Sequence, residues 1–335
     1  MKIIYMGTPD FAVPSLEMLT KTEHQVAAVV TQPDKPKGRK MVLTSPPVKI
    51  FALSCGIKVL QPEKISDGNF IDNIEKYKPD LVVTCAYGKK LTERFLNIPK
   101  FGTINVHASL LPKYRGAAPI QWCIINGEKK TGITTMLTDI GMDTGDILLR
   151  DEAEIGSHVT AGELHDTLSI LGAKVLKDTL ISLVNGTLSP LKQDDEAATH
   201  APMIKKSDGI IDWSRLGRQI HNLVRGVTPW PGAYTQINNE KVKICTTEII
   251  SETENAGENK FLTECGGSDT EKAVPGEIIA VNKSGIIVLC GKSEEDGKKC
   301  SAIKITKLQP QSGKRMSAAE YINGHNIKAG DVFGL

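Results

Sequence analysis

Across residues 2 to 138, short β-branched runs alternate with amphipathic segments, and this alternation restricts the fold more than any other feature of the chain. Residues 2–6, 25–30, 57–60, 80–84, 102–106 and 132–138 read as strands, and the segments Val13 to Leu19, Val48 to Leu53, Ile71 to Tyr77 and Ile120 to Ile125 carry apolar residues at helical spacing. Strands separated by helix-length segments need crossovers, so the expectation is an α/β domain with a doubly wound, mostly parallel sheet. Pro14 suits a first helical turn, where its missing N–H leaves no hydrogen bond unmade.

A further strand at Ile147 to Arg150 is expected at the sheet edge. Thr160 to Val184 then places Leu164, Leu168, Leu171, Val175, Leu176, Leu180 and Leu183 at three- and four-residue steps, which predicts the longest helix, ended by Gly186. The polar stretch Gln193 to Ser207 has little apolar periodicity. It marks a linker, set at 191–207, between domains at 1–190 and 208–335. Past residue 208 a short helix (Leu216 to Val224) precedes strand-like runs at 233–237, 242–247, 276–281, 285–289 and 302–308. Short strands with turn residues between them predict a small antiparallel β-barrel. Ser251 to Ala273 is longer and more acidic than a hairpin connection needs and reads as a disordered insertion.

The 335 residues accommodate two domains, each with its own core. The chain opens directly into its first strand without a secretory pattern, and no apolar run approaches ~18 residues, so a soluble cytoplasmic protein is expected. Seven scattered cysteines with no Cys-x-x-Cys pair suggest neither a disulfide framework nor a zinc ribbon. Net charge is only +2, but from Gln32 to Lys49 five basic residues (Lys35, Lys37, Arg39, Lys40, Lys49) face one acid, Asp34, in a stretch broken by prolines and glycine. That stretch reads as a mobile basic loop. No apolar stripe is left over for a partner copy, and a monomer is expected.

Chemistry is concentrated in Gly102 to Gly116. Asn105 and His107 end a β-branched run, and period-two alternation puts both side chains on one side of that strand. A carboxamide N–H beside an acid/base is what a reaction through an oxyanion needs. Asp143 follows in the Gly-flanked loop Asp139 to Asp146 after the next strand, where carboxyl ends of neighbouring parallel strands converge on one crevice. Taken singly, each has a plainer reading: a lone strand histidine is most often a satisfied core residue, and glycines with acids also make surface turns. A dinucleotide site is disfavoured because Gly7-Thr8-Pro9-Asp10-Phe11 stands where Gly-x-Gly-x-x-Gly would approach a pyrophosphate. There is also no P-loop and no His-Glu-x-x-His, so nicotinamide, ATP and metal find no support.

Asn105-x-His107, Ser109-Leu110-Leu111-Pro112 and Asp139-Ile140-Gly141-Met142-Asp143-Thr144-Gly145-Asp146 together resemble the signature of the folate-dependent formyltransferase family. Gly7-Thr8-Pro9-Asp10-Phe11, the basic loop and Pro229-Trp230-Pro231-Gly232 narrow the likeness to the branch that acts on methionyl initiator tRNA. The resemblance implies a Rossmann-like formyltransferase domain, an OB-like C-terminal barrel that helps hold tRNA, and 10-formyltetrahydrofolate as formyl donor. It implies catalytic roles for Asn105, His107 and Asp143: the amide and a protonated imidazole stabilise the oxyanion, and the carboxylate holds the imidazole. It places the folate between the loops Ala86-Tyr87-Gly88 and Ser109 to Pro112, near Asp139, and gives Lys35, Lys37, Arg39 and Lys40 to the tRNA acceptor stem. A small-amine formyltransferase or a formyl-folate hydrolase would share the three catalytic residues without needing the basic loop. A catalytically silent RNA-binding protein would not need the trio at all. Trp213, Trp230 and Tyr234 are expected to pack the barrel or domain interface.

Overall fold

The computed structural model describes residues 1–38, 41–250, 274–292 and 300–334. The insertion expected at 251–273 and the tRNA contacts expected of Arg39 and Lys40 lie outside the described residues. The chain divides into two compact units: 1–120, 129–155 and 163–203 form the first, and 121–128, 156–162 and 204–335 the second.

In the first unit the strands are β1 (Lys2–Gly7), β2 (Gln25–Val30), β3 (Lys35–Lys37), β4 (Val42–Thr44), β5 (Val59–Leu60), β6 (Leu81–Cys85), β7 (Thr103–His107), β8 (Arg115–Gly116), β9 (Lys130–Leu137), β10 (Ile147–Glu154) and β11 (His200–Ala201). The helices are α1 (Val13–Thr20), α2 (Pro47–Ser54), α3 (Gly68–Tyr77) and α4 (Glu93–Leu96); α5 (Pro119–Ile125) and α6 (Ala161–Val184) each contain residues of both units. Seven strands make one sheet in the order β10-β9-β7-β6-β1-β2-β5. From β7 to β5 all pairings are parallel, whereas β9 and β10 run antiparallel. The expected mostly parallel sheet is therefore present, with an antiparallel edge.

Both faces are covered, which is why β1, β2 and β6 read as largely apolar runs. Phe70, Ile71 and Ile74 of α3 pack with Ile4, Met6 and Val82. On the other face, α6 comes close to the sheet because Gly172 carries no side chain; a Cβ there would lie 3.1 Å from Val106. Gly186, at a positive φ of 66°, ends α6 as expected. Thr84 pairs with Asn105 across the β6/β7 ladder, and directly paired residues share a face. Asn105 and His107 thus project away from the face on which Val106 meets α6.

The second unit contains α7 (Gly217–Gly226), β12 (Ala233–Ile237), β13 (Glu240–Ile249), β14 (Ile278–Asn282), β15 (Gly285–Lys292), β16 (Cys300–Pro310), β17 (Met316–Ser317) and α8 (Ala318–His325). Its antiparallel sheet runs β12-β13-β16-β15-β14, with β17 beside β16. Among the described residues the edge strands β12 and β14 do not pair with each other. The tail reaches both sides instead: Gly334 exchanges backbone hydrogen bonds with Gln236, and the Phe333 N–H donates to Gly276 O, just before β14. Phe333 is buried against Trp213, with ring centroids 5.6 Å apart. Trp213 packs as expected and donates to Thr235. Trp230 does not: it is 55% exposed, set between Pro229 and Pro231. Tyr234 is half-buried beneath the Lys241 ammonium.

Candidate active site

The site is built on the carboxyl end of β7. Thr84 Oγ1 donates to Asn105 Oδ1 at 2.8 Å, which fixes the amide so that Nδ2 turns toward Asp143 Oδ1, 3.5 Å away. His107 is 6% exposed, with Nε2 3.0 Å from Tyr114 O and Nδ1 3.7 Å from Asp143 Oδ2. Both ring nitrogens thus face oxygen atoms, one of a backbone carbonyl and one of a carboxylate. Asp143 Oδ2 also accepts the Gly116 N–H at 2.9 Å. An amide, an imidazole and a carboxylate distant in sequence are thereby brought together.

Asp143 reaches this point by a different route from the one expected. Because β9 runs antiparallel to β7, Leu137 pairs with Ile104 and the carboxyl end of β9 lies at the amino end of β7. The loop after β9 folds back along β7 to carry Asp143 to Asn105 and His107. The fold-back is tight: a Cβ on Gly145 would lie 1.7 Å from Leu137 O, and one on Gly141 would lie 1.9 Å from Thr144 Oγ1. Asp139 shapes the same loop by accepting from Gly141 N and Thr144 Oγ1 at 3.0 and 2.7 Å. Asp143 itself adopts a left-handed backbone, φ 55°, a conformation that persists only where neighbours enforce it.

Several groups expected at a folate site are committed within the protein. Ser109 Oγ donates to Lys113 O, Leu111 N donates to Thr134 Oγ1, and Leu111 O accepts from Arg150 Nη1. Leu111 is buried with Met136 and Ile147. Tyr87 is buried too; its carbonyl accepts from Thr8 and Gln32, and burial pushes its hydroxyl pKa well up. Leu110 packs over Gly132, where an added Cβ would lie 2.6 Å from its side chain, and Pro112 is half-buried. Ala86, Gly88 and Asp139 are exposed.

The basic stretch, expected as a mobile loop, contains regular structure on either side of residues 39–40. Lys35–Lys37 and Val42–Thr44 form a short antiparallel hairpin, with Gly38 at φ 76° and Met41 at φ 49° in the turn. Lys35 and Lys37 are exposed, and so are Met41, Val42 and Leu43. At the hairpin base, Asp34 accepts from Lys49, Gln61 and Ser45, and these bonds hold its pKa down at about 2.

Sequence reasoning did not single out Thr84, Thr199 or Gln193, nor Tyr114, Arg115 and Gly116 as separate contributors. Gln193 and Thr199 lie in the stretch expected as a linker, yet both bond to the site's frame. Gln193 Nε2 donates to the carbonyls of Asp143 and Gly145 at 2.8 and 2.7 Å, and Thr199 Oγ1 accepts from Tyr114 N at 2.8 Å. Only tertiary structure brings these partners together, and the polar run gave no signal for them.

The chain is a formyl transferase by family: the model "Formyl transferase" matches residues 1–180 and "Formyl transferase, C-terminal domain" matches 203–326. The chain is 54% identical over 335 residues, all of both chains, to methionyl-tRNA formyltransferase of Ruminiclostridium cellulolyticum, and 45% identical to that of Bacillus subtilis over all of this chain and 98% of the other. It belongs to the methionyl-tRNA formyltransferase family. Among solved structures, an N-formyltransferase from Helicobacter canadensis in complex with folinic acid and dTDP-3-aminofucose shares the fold. Its TM-score is 0.63 at 20% identity, covering 91% of this chain and 99% of that one. The sugar 3N-formyl transferase WlaRD aligns with TM-score 0.64 at 20% identity over 94% and 99% of the two chains.

Proposed function

We propose that the chain transfers the formyl group of 10-formyltetrahydrofolate to the amino group of methionyl initiator tRNA. The carrying observation is the convergence of Asn105, His107 and Asp143 above β7 in a chain 54% identical over its full length to a methionyl-tRNA formyltransferase.

In the proposed reaction the amine attacks the formyl carbon, a C–N bond forms, and the carbonyl electron pair moves onto oxygen. Collapse restores the carbonyl and breaks the bond to the folate N10, and one proton passes overall from the amine to N10. Asn105 Nδ2 is the donor for the oxyanion. His107, held between Tyr114 O and Asp143, supplies positive charge beside it, and Asp143 keeps the ring in place. The folate is assigned to the loops around Ala86–Gly88 and Ser109–Pro112. With the Leu111 amide and the Tyr87 carbonyl already bonded, backbone contacts fall to Ala86, Gly88 and the loop at Asp139.

Catalysis is assigned to 1–190 and tRNA holding to 208–335. The second unit is proposed as an OB-like barrel completed by its tail, with Lys307, Lys314, Arg315 and Lys328 exposed to the phosphate backbone. Lys304 contributes less because it is 14% exposed and near Glu248. Lys35 and Lys37 of the hairpin, with Arg39 and Lys40, are assigned to the acceptor end, where unpaired nucleotides are readable.

The test is transfer of labelled formyl from 10-formyltetrahydrofolate to methionyl initiator tRNA, beside methionyl elongator tRNA, uncharged tRNA and no-tRNA reactions. Label on the charged initiator alone supports the reading. Transfer to a small amine, or loss of label to water without tRNA dependence, overturns it in favour of a small-amine formyltransferase or a formyl-folate hydrolase.

A further inference from the structure

We infer that Gln193 is a positioning residue for this reaction, acting through Asp143. The inference rests on the reading of Asp143 given above. Gln193 is buried, and its amide is almost fully used: the two Nε2 protons go to Asp143 O and Gly145 O, and Oε1 accepts from Arg115 Nε at 3.0 Å. These two carbonyls flank the left-handed turn that aims the carboxylate at Asn105 and His107. A non-glycine residue held at φ 55° needs its surroundings to enforce it, and Gln193 is the side chain that grips both ends of this turn.

The direction of the grip is set by Arg115. Its buried guanidinium donates to Gln193 Oε1 and also to Asp195, so the amide cannot flip without turning its NH2 toward a cation. The same residue belongs to the peptide that completes the site: Tyr114 O meets His107, and Gly116 N meets Asp143. The strap from Leu191 to Ala201 anchors that peptide as well. Leu191 exchanges backbone hydrogen bonds with Ile147, Thr199 accepts from the Tyr114 and Arg115 N–H groups, and His200–Ala201 pairs with Arg115–Gly116. Gln193 is the point at which the strap reaches the Asp143 loop.

The experiment is a double-mutant cycle of Gln193→Met, which keeps side-chain length and removes the amide, with Asp143→Asn. Transfer to methionyl initiator tRNA is read as kcat and KM for both substrates, with thermal melting alongside. A misplacement of about 1 Å costs on the order of 10²-fold, so Gln193→Met alone is expected to lower kcat by about 10²-fold while both KM values hold. In the Asp143→Asn background it is expected to lower kcat no further. Independent, multiplying losses overturn the inference, as does a loss confined to KM or to melting. If Asp143→Asn by itself leaves kcat unchanged, the reading of Asp143 falls first and the inference with it. Should Gln193→Met not fold, Gln193→Asn, which keeps the amide on a shorter arm, is judged by the same cycle.

Discussion

The Asp143 carboxylate and the His107 imidazole face each other at 3.7 Å, and neither is free to turn: Gly116 N holds the acid and Tyr114 O holds the ring. Their contact surface includes the Asn105 amide, so the three side chains form one unit above β7. If the amide donates to the oxyanion, Asn105→Ala is expected to lower kcat by ~10²- to 10³-fold, equivalent to about 3–4 kcal/mol. His107→Ala and Asp143→Ala are expected to lose at least ~10²-fold while keeping native circular dichroism. A variant with near-normal turnover removes its residue from the mechanism, and three unfolded variants make the group a packing feature.

Gly145→Ala tests the fold-back of the loop. The new methyl would lie 1.7 Å from Leu137 O, a backbone atom, so the loop must move. Overpacking of this kind costs about 1–3 kcal/mol. Urea unfolding is expected to shift by that amount and kcat to fall with it; unchanged turnover would show that Asp143 tolerates displacement.

Asp34 gives a pH prediction. Its folded pKa is held down at about 2, mainly by Lys49 and Gln61, below the usual carboxylate value of 3.8. Its contribution is therefore present above about pH 4 and lost as pH falls through about 2. Carbon-detected titration of the Asp34 carboxyl should give a midpoint near 2 in the native protein and a higher one in Lys49→Met. Equal midpoints would show that Lys49 does not stabilise the hairpin base.

Phe333→Ala probes the tail. The ring is buried against Trp213, and emptying such a site costs about 3–5 kcal/mol. Denaturant unfolding followed by tryptophan fluorescence should record that loss, with amide exchange at Gln236 and Phe333 quickening. A loss below about 1 kcal/mol would mean that the tail is not part of the core.

The sheet of the first unit was legible because β1, β2 and β6 are largely buried and their sequences show it as mostly apolar runs, while β7 alternates apolar and polar residues. The hairpin was not, since Lys35-Pro36-Lys37 has neither alternation nor β-branched residues. Helix α8 was not expected from the sequence, although it opens on Ser317 with Glu320 three residues on, each bonding the other's backbone N–H. Period-two spacing put Asn105 and His107 on one side of their strand, and the resemblance to the formyltransferase signature gave them their expected roles. The antiparallel direction of β9 was invisible, because nothing local to a strand records which way its neighbour runs. Gln193 was invisible for a related reason: a neutral amide among polar residues acquires meaning only from carbonyls 48 and 50 positions away.

Were the strap to lift from the Asp143 loop, the carboxylate would lose the bonds that aim it while the sheet stayed folded. Observed turnover is then the intrinsic rate multiplied by the docked fraction. Once the balance lies on the undocked side, each further 1.4 kcal/mol lost from docking silences about nine in ten of the remaining active molecules. Two preparations with equal melting temperatures would then differ in activity, because melting reports the sheet and catalysis would report the local equilibrium of the strap.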